Sequence, residues 1–201
     1  MIKITLICLA VFTAVLLLFL SCNSGEKLRK LEKPAIIRMY EKYSKKKIES
    51  PDDFCVEEAQ GLDGVYCLGW FDHDLGCMGD EILVGNSIGH WKDLMPKALN
   101  LLGWKEENKR SDLALKWVKS VIIAWKVALK EKPENFGDSD FEKPNVKKKP
   151  EGYFVKLWVQ EPSGMMPENN YYQLEIMIGS NAELIKVDLT KRLNVPIKRG
   201  Q

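Results

Sequence analysis

The stretch YFVKLWVQ, at residues 153–160, has an apolar side chain at every second position. One face of this segment is entirely apolar, and it consists of Tyr153, Val155, Leu157 and Val159. A period of two indicates a β-strand with one buried face. Two more strands are predicted at 171–178 and 183–189, and the GSNA segment at 179–182 is typical of a tight turn between them. The end of the chain is therefore predicted to form an antiparallel three-stranded meander.

Helical spacing of the apolar residues dominates the N-terminal two-thirds of the chain. The clearest helix is predicted over 112–131, with Ser111 as its cap and Pro133 after its end. Its apolar stripe contains several tryptophan, valine and isoleucine residues, which indicates a helix packed against the core. Shorter helices are predicted at 34–47, at 51–61 and before Gly103.

A short hairpin is predicted among these helices. A period of two returns at 64–70, and a second strand is predicted at 81–84. The predicted fold class is therefore α+β, with helices in the N-terminal two-thirds packed on an antiparallel sheet and the three-stranded meander at the C-terminal end. The segment 34–201 is long enough to bury one core and is predicted to be a single domain.

The N-terminal segment indicates where the protein acts. Residues 4–20 are uncharged and almost wholly apolar, Lys3 precedes them, and the stretch FLSC ends the apolar run at 19–22. This stretch resembles the lipobox of bacterial lipoproteins. The resemblance implies that residues 1–21 are a signal peptide that is removed, and that Cys22 then carries a thioether-linked lipid in the membrane.

The same resemblance implies a location in the cell envelope. Asn23 stands where an acid often retains lipoproteins at the inner membrane, which favours the outer membrane or the periplasmic face. The polar segment 22–33 is predicted to be a tether. Two alternatives remain open, an uncleaved membrane anchor and an ordinary secretory signal. The short apolar span argues against the anchor, whereas the basic residues that follow it favour one.

The charge balance excludes one class of partner. The chain has 30 basic and 28 acidic side chains, and nucleic-acid binding usually needs a concentrated basic face. Nucleic acid is therefore not a predicted partner. Basic residues do concentrate at 27–47, where they could contact anionic headgroups or simply form a solvated helix face.

The segment 67–81 concentrates the reactive side chains. In an oxidising compartment two of the cysteines Cys55, Cys67 and Cys77 are expected to pair, and the sequence does not decide which two. A Cys67–Cys77 bridge could close a hairpin loop, and such a disulfide is favoured over a metal site in this segment. A zinc site that uses these cysteines with His73 and Asp74 is a weaker alternative. A nucleophilic cysteine with a histidine base would need a geometry that the sequence does not reveal.

Two loops have the composition of contact surfaces. The candidate partner-binding residues are Phe136, Phe141, Met165, Met166 and Tyr171. Methionine and aromatic side chains on long loops are typical of adaptable interfaces. The alternative is that these side chains fold back and belong to the core.

These patterns predict an envelope lipoprotein that acts as a binding or interaction module, anchored in the membrane by its lipid and contacting an envelope protein. An immunity or inhibitor lipoprotein is one alternative, and a Cys/His-dependent or zinc enzyme centred on 67–81 is another. The sequence indicates no cofactor and no small-molecule substrate.

Overall fold

The computed structural model describes residues 28–72, 76–123, 127–133, 141–161 and 168–196. The described helices are α1 (Lys33–Ser44), α2 (Trp91–Leu101) and α3 (Glu107–Trp117), and α3 continues into a π-helical turn over Val118–Ile122. The strands of the first sheet are β1 (Phe54–Glu58), β2 (Val65–Asp72), β3 (Gly76–Val84) and β4 (Ser87–His90). Those of the second sheet are β5 (Val127–Ala128), β6 (Asn145–Lys149), β7 (Gly152–Glu161), β8 (Glu168–Gly179) and β9 (Leu184–Pro196).

The predicted fold class is wrong. Two antiparallel sheets account for most of the described regular secondary structure, and the three helices are short, so the molecule is not a helical layer on one sheet with a three-stranded meander. The three predicted C-terminal strands correspond to β7, β8 and β9. They belong to a larger sheet, however, in which the short strands β5 and β6 both pair with β7.

The first sheet is an antiparallel meander in the order β1-β2-β3-β4. Its β2–β3 register is irregular, because it passes from the pair Leu68–Glu81 to the pair Trp70–Met78. Gly79 lies in this irregular segment, and a Cβ atom there would lie 2.0 Å from the carbonyl oxygen of Leu68. The two backbones can therefore approach each other only because this position is glycine.

The predicted helix at 51–61 is wrong, because β1 occupies the middle of that segment and turns flank it. Phe54 is fully buried and Val56 is partly buried, and both pack in the same small cluster. The intervening Cys55 points to the other face of the strand. The apolar residues of this segment thus have a period of two, and the helix-start motif at 50–53 leads into a strand instead of a helix.

The long helix predicted at 112–131 is also wrong in its second half. Helix α3 ends at Trp117, the π-helical turn ends at Ile122, and β5 begins at Val127. β-Branched residues crowd the segment from Val118 to Ile123, and such side chains lose rotamer freedom in an α-helix. The strand edge of β7 offers this segment a better arrangement, because Val127 and Ala128 pair with Gln160 and Val159.

One shared core joins the two sheets. It contains side chains from the first sheet, from α2 and α3, and from the second sheet, among them Val65, Ile82, Leu99, Trp117 and Val155. A second cluster, the α1 cluster, lies on the opposite face of the first sheet. Its buried members are Ile36, Ile48, Phe54, Tyr66, Leu68 and Leu83. The first sheet is therefore covered on both faces, by the shared core and by α1.

Trp104 connects the segment between α2 and α3 to the second sheet. Its side chain is 1% exposed, and its indole N–H donates to the carbonyl oxygen of Ser180 at 2.9 Å. The ring contacts Tyr153 edge-on at 5.4 Å between centroids, and the Arg110 guanidinium lies 5.9 Å from the ring centre. A single side chain thus connects the segment between α2 and α3 to strand β7 and to the turn between β8 and β9.

Candidate functional site

The structure places Cys67 in the shared core, where it carries a free thiol. The Sγ atom donates to the carbonyl oxygen of Ser120 in the π-helical turn at 3.2 Å. Burial raises the pKa of Cys67 to about 12, with a further contribution from the negative charge of Glu57. The predicted Cys67–Cys77 disulfide is therefore wrong, and a thiol that stays protonated is a poor nucleophile.

Cys55 is disulfide-bonded, and its partner cysteine lies outside the described side chains. Cys67 is excluded as that partner because its thiol is free. The side chain of Cys77 and the residues His73 and Asp74 also lie outside the described side chains. Across the described residues, no group of three histidine, cysteine or acidic side chains is arranged to hold a metal ion.

Of the candidate contact residues on the two loops, the structure describes Tyr171 and Phe141, and both are at least partly buried. Tyr171 is 2% exposed and packs with Trp158 and Leu129 in a third cluster, against which Phe141 also packs. Tyr171 is therefore a core residue and Phe141 a partly buried neighbour, and neither forms an open contact surface. The other three candidates, Phe136, Met165 and Met166, lie outside the described residues.

Exposed aromatic rings occur instead where α1 packs against the first sheet, at the start of β1 and near the end of β2. We define the aromatic surface as the connected rings of Tyr40, Tyr43, Phe54 and Trp70. The ring of Tyr40 lies 6.1 Å from that of Tyr43 and 4.6 Å from that of Phe54, and Phe54 meets Trp70 edge-on at 5.1 Å. Phe54 is buried beneath the others, whereas Tyr43 is 48% and Trp70 47% exposed.

Local sequence explains why these rings meet. Tyr40 and Tyr43 are three residues apart on α1, so they lie on neighbouring turns of one helix face. Phe54 and Trp70 are direct partners in the β1–β2 register, so they point to the same side of the sheet. The register irregularity next to Trp70 turns the end of β2, as bulges commonly do beside functional sites.

Hydrogen bonds hold the aromatic surface in one arrangement. Tyr40 is hydrogen-bonded to the Glu81 carboxylate and to the Trp70 side chain. Burial, reinforced by the hydrogen bond and the charge of Glu81, raises the pKa of Tyr40 to about 12. Burial and the same carboxylate also raise the pKa of Tyr43. Both hydroxyl groups therefore remain neutral at any physiological pH, and Glu81 sits within the cluster as an acceptor.

Two grooves flank the aromatic surface, and lysine side chains lie along both. One groove of about 290 Å³ is lined by Tyr40, Ser44, Lys46, Lys47, Ile48 and Trp70. The other, of about 410 Å³, is lined by Met39, Lys42, Tyr43, Asn86 and Ile88. An apolar aromatic centre with positive charge at its edges can bind a ligand that presents apolar groups surrounded by carboxylates.

Sequence reasoning missed this surface, although it noted the residues. Helical spacing places Tyr40 and Tyr43 on the amphipathic helix predicted at 34–47, and the period of two at 64–70 places Trp70 on one face of the predicted strand, but neither pattern indicates that the rings are exposed. One signal was available in the pair Trp70-Phe71, since successive strand residues point to opposite faces and two large aromatics seldom both find cover at a strand end. Phe71 is in fact 49% exposed.

Among the described residues, no helix is long and apolar enough to cross a membrane. No known protein family, no curated protein and no solved structure matches this chain.

Proposed function

We propose that the protein is a lipid-anchored lipoprotein of the bacterial cell envelope, and that its folded head binds a protein partner through the aromatic surface. The lipobox-like stretch at 19–22 supports the anchor. The exposed, hydrogen-bonded rings support the binding role. The proposal assigns no catalytic residue, and the raised pKa of the Cys67 thiol speaks against a nucleophile at that position.

The observation that carries the binding role is the combination of exposure and order at Trp70. Its ring is about half exposed, yet it is packed on Phe54 and hydrogen-bonded to Tyr40. Tryptophan and tyrosine dominate the energetic centres of protein interfaces. A ring that is already held in place loses little conformational entropy when a partner covers it. Trp70 and Tyr43 therefore have the character of preorganised anchor residues.

The charges around the rings define the partner's chemistry. Lys42, Lys46 and Lys47 line the grooves and are exposed. Lysine is depleted from interface centres but is common at their rims, where it speeds the association with an oppositely charged surface. The expected partner is an envelope protein that presents apolar side chains within an acidic rim. The lipid at Cys22 would hold the head at the membrane and raise its effective concentration near such a partner.

The binding role is tested in cells with the full-length chain. A photo-crosslinking amino acid replaces Tyr43, and we expect it to capture one discrete envelope protein. Adding Trp70→Ala removes an anchor, and we expect the partner's affinity to fall about 30-fold, as for a typical interface hot spot. Phe71→Ala is the matched control, because Phe71 is equally exposed but points to the opposite face of β2.

Equal loss of the crosslink in the Trp70 and Phe71 variants would contradict the assignment of the aromatic surface. Crosslinking to lipid alone would show that the surface rests on the membrane and binds no protein. The anchor is tested separately by the mass of the mature N-terminal peptide. That peptide should begin at Cys22 with an added acyl mass, and Cys22→Ala should abolish both the cleavage and the added mass.

A further inference from the structure

The strand β9 has an apolar and exposed stripe. It runs for 13 residues from Leu184 to Pro196, and among the described residues it pairs only with β8, so it forms an edge of the second sheet. Ile185, Val187 and Leu189 are 50%, 45% and 55% exposed. Proteins usually blunt or cover such a long apolar edge, since it can pair with another strand.

The stripe is an extension of the core-facing side of the sheet. Val187 is paired with the fully buried Ile176, and Leu189 is paired with Leu174, which packs against the shared core. Directly paired residues lie on the same face of a sheet. The face that is buried under the helices in β7 and β8 therefore continues, without its cover, on β9.

The charges along β9 are complementary to those of a second copy of the same strand when the two pair antiparallel. In an antiparallel pair centred on Val187, Ile185 of one copy lies opposite Leu189 of the other. The same register places Lys186 opposite Asp188. Twofold symmetry makes every such pair occur twice.

The neighbouring registers are disfavoured by like charges. Moving the centre to Asp188 places two aspartates directly opposite each other, and moving it to Lys186 does the same with two lysines. The irregularities in the β8–β9 register fall at Gln173/Leu174 and Met177/Ile178, so the central segment 186–189 pairs regularly. The charge pattern thus selects one register for self-pairing.

We propose that β9 is a homodimer interface, in which two copies of this chain pair antiparallel about Val187 and form one continuous sheet. The apolar stripes of the two copies then lie side by side on one face of this sheet, where opposite side chains contact each other laterally. Lys186 and Asp188 form an ion pair within each copy, on the other face of the sheet. In the dimer, each Lys186 also lies opposite Asp188 of the other copy, across the twofold axis. This interface is independent of the aromatic surface and of the lipid.

Disulfide trapping tests the register in the full-length protein. Val187→Cys should form a covalent dimer under mild oxidation, because the two Cα atoms would lie about 4.5–5.5 Å apart, within the range of a disulfide. Ile185→Cys is the matched control, since the two equivalent cysteines would be four residues, or roughly 13 Å, apart along the strands. A dimer in the control as strong as in the Val187 variant, or no dimer in either, would overturn the proposal.

Charge reversal tests the proposed ion pairs independently. Lys186→Asp should weaken the dimer on the order of tenfold or more, since two attractive pairs become repulsive. The double variant Lys186→Asp with Asp188→Lys restores the opposite charges and should recover the dimer, as measured by sedimentation in detergent. A weakened dimer that the second substitution does not rescue would contradict this register. Far-ultraviolet circular dichroism verifies that each variant is folded.

Discussion

At the scale of single residues, the hydroxyl of Tyr40 determines how the aromatic surface is held. It is hydrogen-bonded to Glu81 and to Trp70, and it lies between the helix α1 and the end of the first sheet. Its ring contacts would survive the loss of the hydroxyl, because they involve only Tyr43 and Phe54. The hydroxyl and the ring therefore have separable roles, the first in orientation and the second in packing.

This separation predicts a specific pH dependence of stability. The pKa of Tyr40 is about 12 in the folded protein and 10.0 for an ordinary tyrosine. The folded state holds the proton of Tyr40 more tightly than the unfolded state does. The stability that Tyr40 contributes is therefore complete below pH 10 and is lost as the pH rises toward 12. In Tyr40→Phe, the free energy of unfolding should fall less steeply with pH in this window. Urea unfolding at several alkaline pH values measures the slope, and identical slopes would contradict the assignment.

Single residues also show what sequence can and cannot predict about a site. The sequence placed Cys67 in a segment that concentrates cysteines, a histidine and acids, and it offered a disulfide, a zinc site or a nucleophile there. Its pKa, however, depends on burial under the π-helical turn, which is a tertiary property. Trp70 gives a second example. Its position on a strand was predicted, but its exposure follows from where α1 ends relative to β2, and local periodicity does not contain that information.

At the scale of elements, glycine positions define the shape of the first sheet. Gly79 lets β3 approach the Leu68 carbonyl oxygen at the register irregularity, directly beside the pair that contains Trp70. An isolated glycine in a strand pattern is a recognised sign of a bulge or of a close backbone approach. The strands predicted at 64–70 and 81–84 leave Gly79 in the connection between them, so the irregularity was not foreseen.

Two glycine substitutions should therefore differ in their effect on stability. In Gly79→Ala the new Cβ atom would lie 2.0 Å from a backbone oxygen, and we expect a cost of about 1–3 kcal/mol or more. In Gly89→Ala, on β4 of the same sheet, the nearest atom is a Leu94 side-chain carbon at 3.6 Å, which is an ordinary contact. Thermal or urea unfolding compares the two variants. Equal stability would show that the strands can separate at Gly79 without penalty.

The strands β7 and β8 and the helix α1 were predictable because their own periodicity agrees with their burial, whereas β9 was predictable from its alternation alone, since its apolar stripe is exposed. The segment 112–131 was not, since its apolar spacing fits a helix throughout while its β-branched residues favour an extended strand. Pairing with the edge of β7 favours the strand over the helix, because Val127 and Ala128 form a short strand there. A choice that depends on a partner more than 30 residues away cannot be made from a local window.

At the scale of the whole molecule, the shared core makes the two sheets depend on each other. Its side chains come from both sheets and from the helices α2 and α3. Trp104 adds a hydrogen bond to Ser180 and a ring contact to Tyr153, and both partners belong to the second-sheet half. Neither sheet can lose its structure without exposing the apolar surface of the other.

This arrangement predicts a single cooperative unfolding transition. Trp104→Phe should lower the free energy of unfolding by about 1–3 kcal/mol, because the smaller ring leaves a cavity in the shared core and the hydrogen bond to the Ser180 carbonyl oxygen is lost. Gly79→Ala, which acts in the first sheet, should shift the same transition. Circular dichroism and tryptophan fluorescence should give coincident curves for each variant. Two separate transitions would show that the sheets unfold independently.

The location of α1 has a mechanical consequence. This helix comes directly after the segment proposed as a tether, and it is fixed by the small α1 cluster instead of the shared core. A pull between an anchored N-terminus and a bound partner would first load the contacts of residues 28–31, where Leu28 packs against the shared core and the Leu31 N–H donates to the Tyr66 hydroxyl, and would then load α1. Detaching α1 from the first sheet would separate Tyr40 and Tyr43 from Trp70, so the partner would be released under tension while both sheets stayed folded.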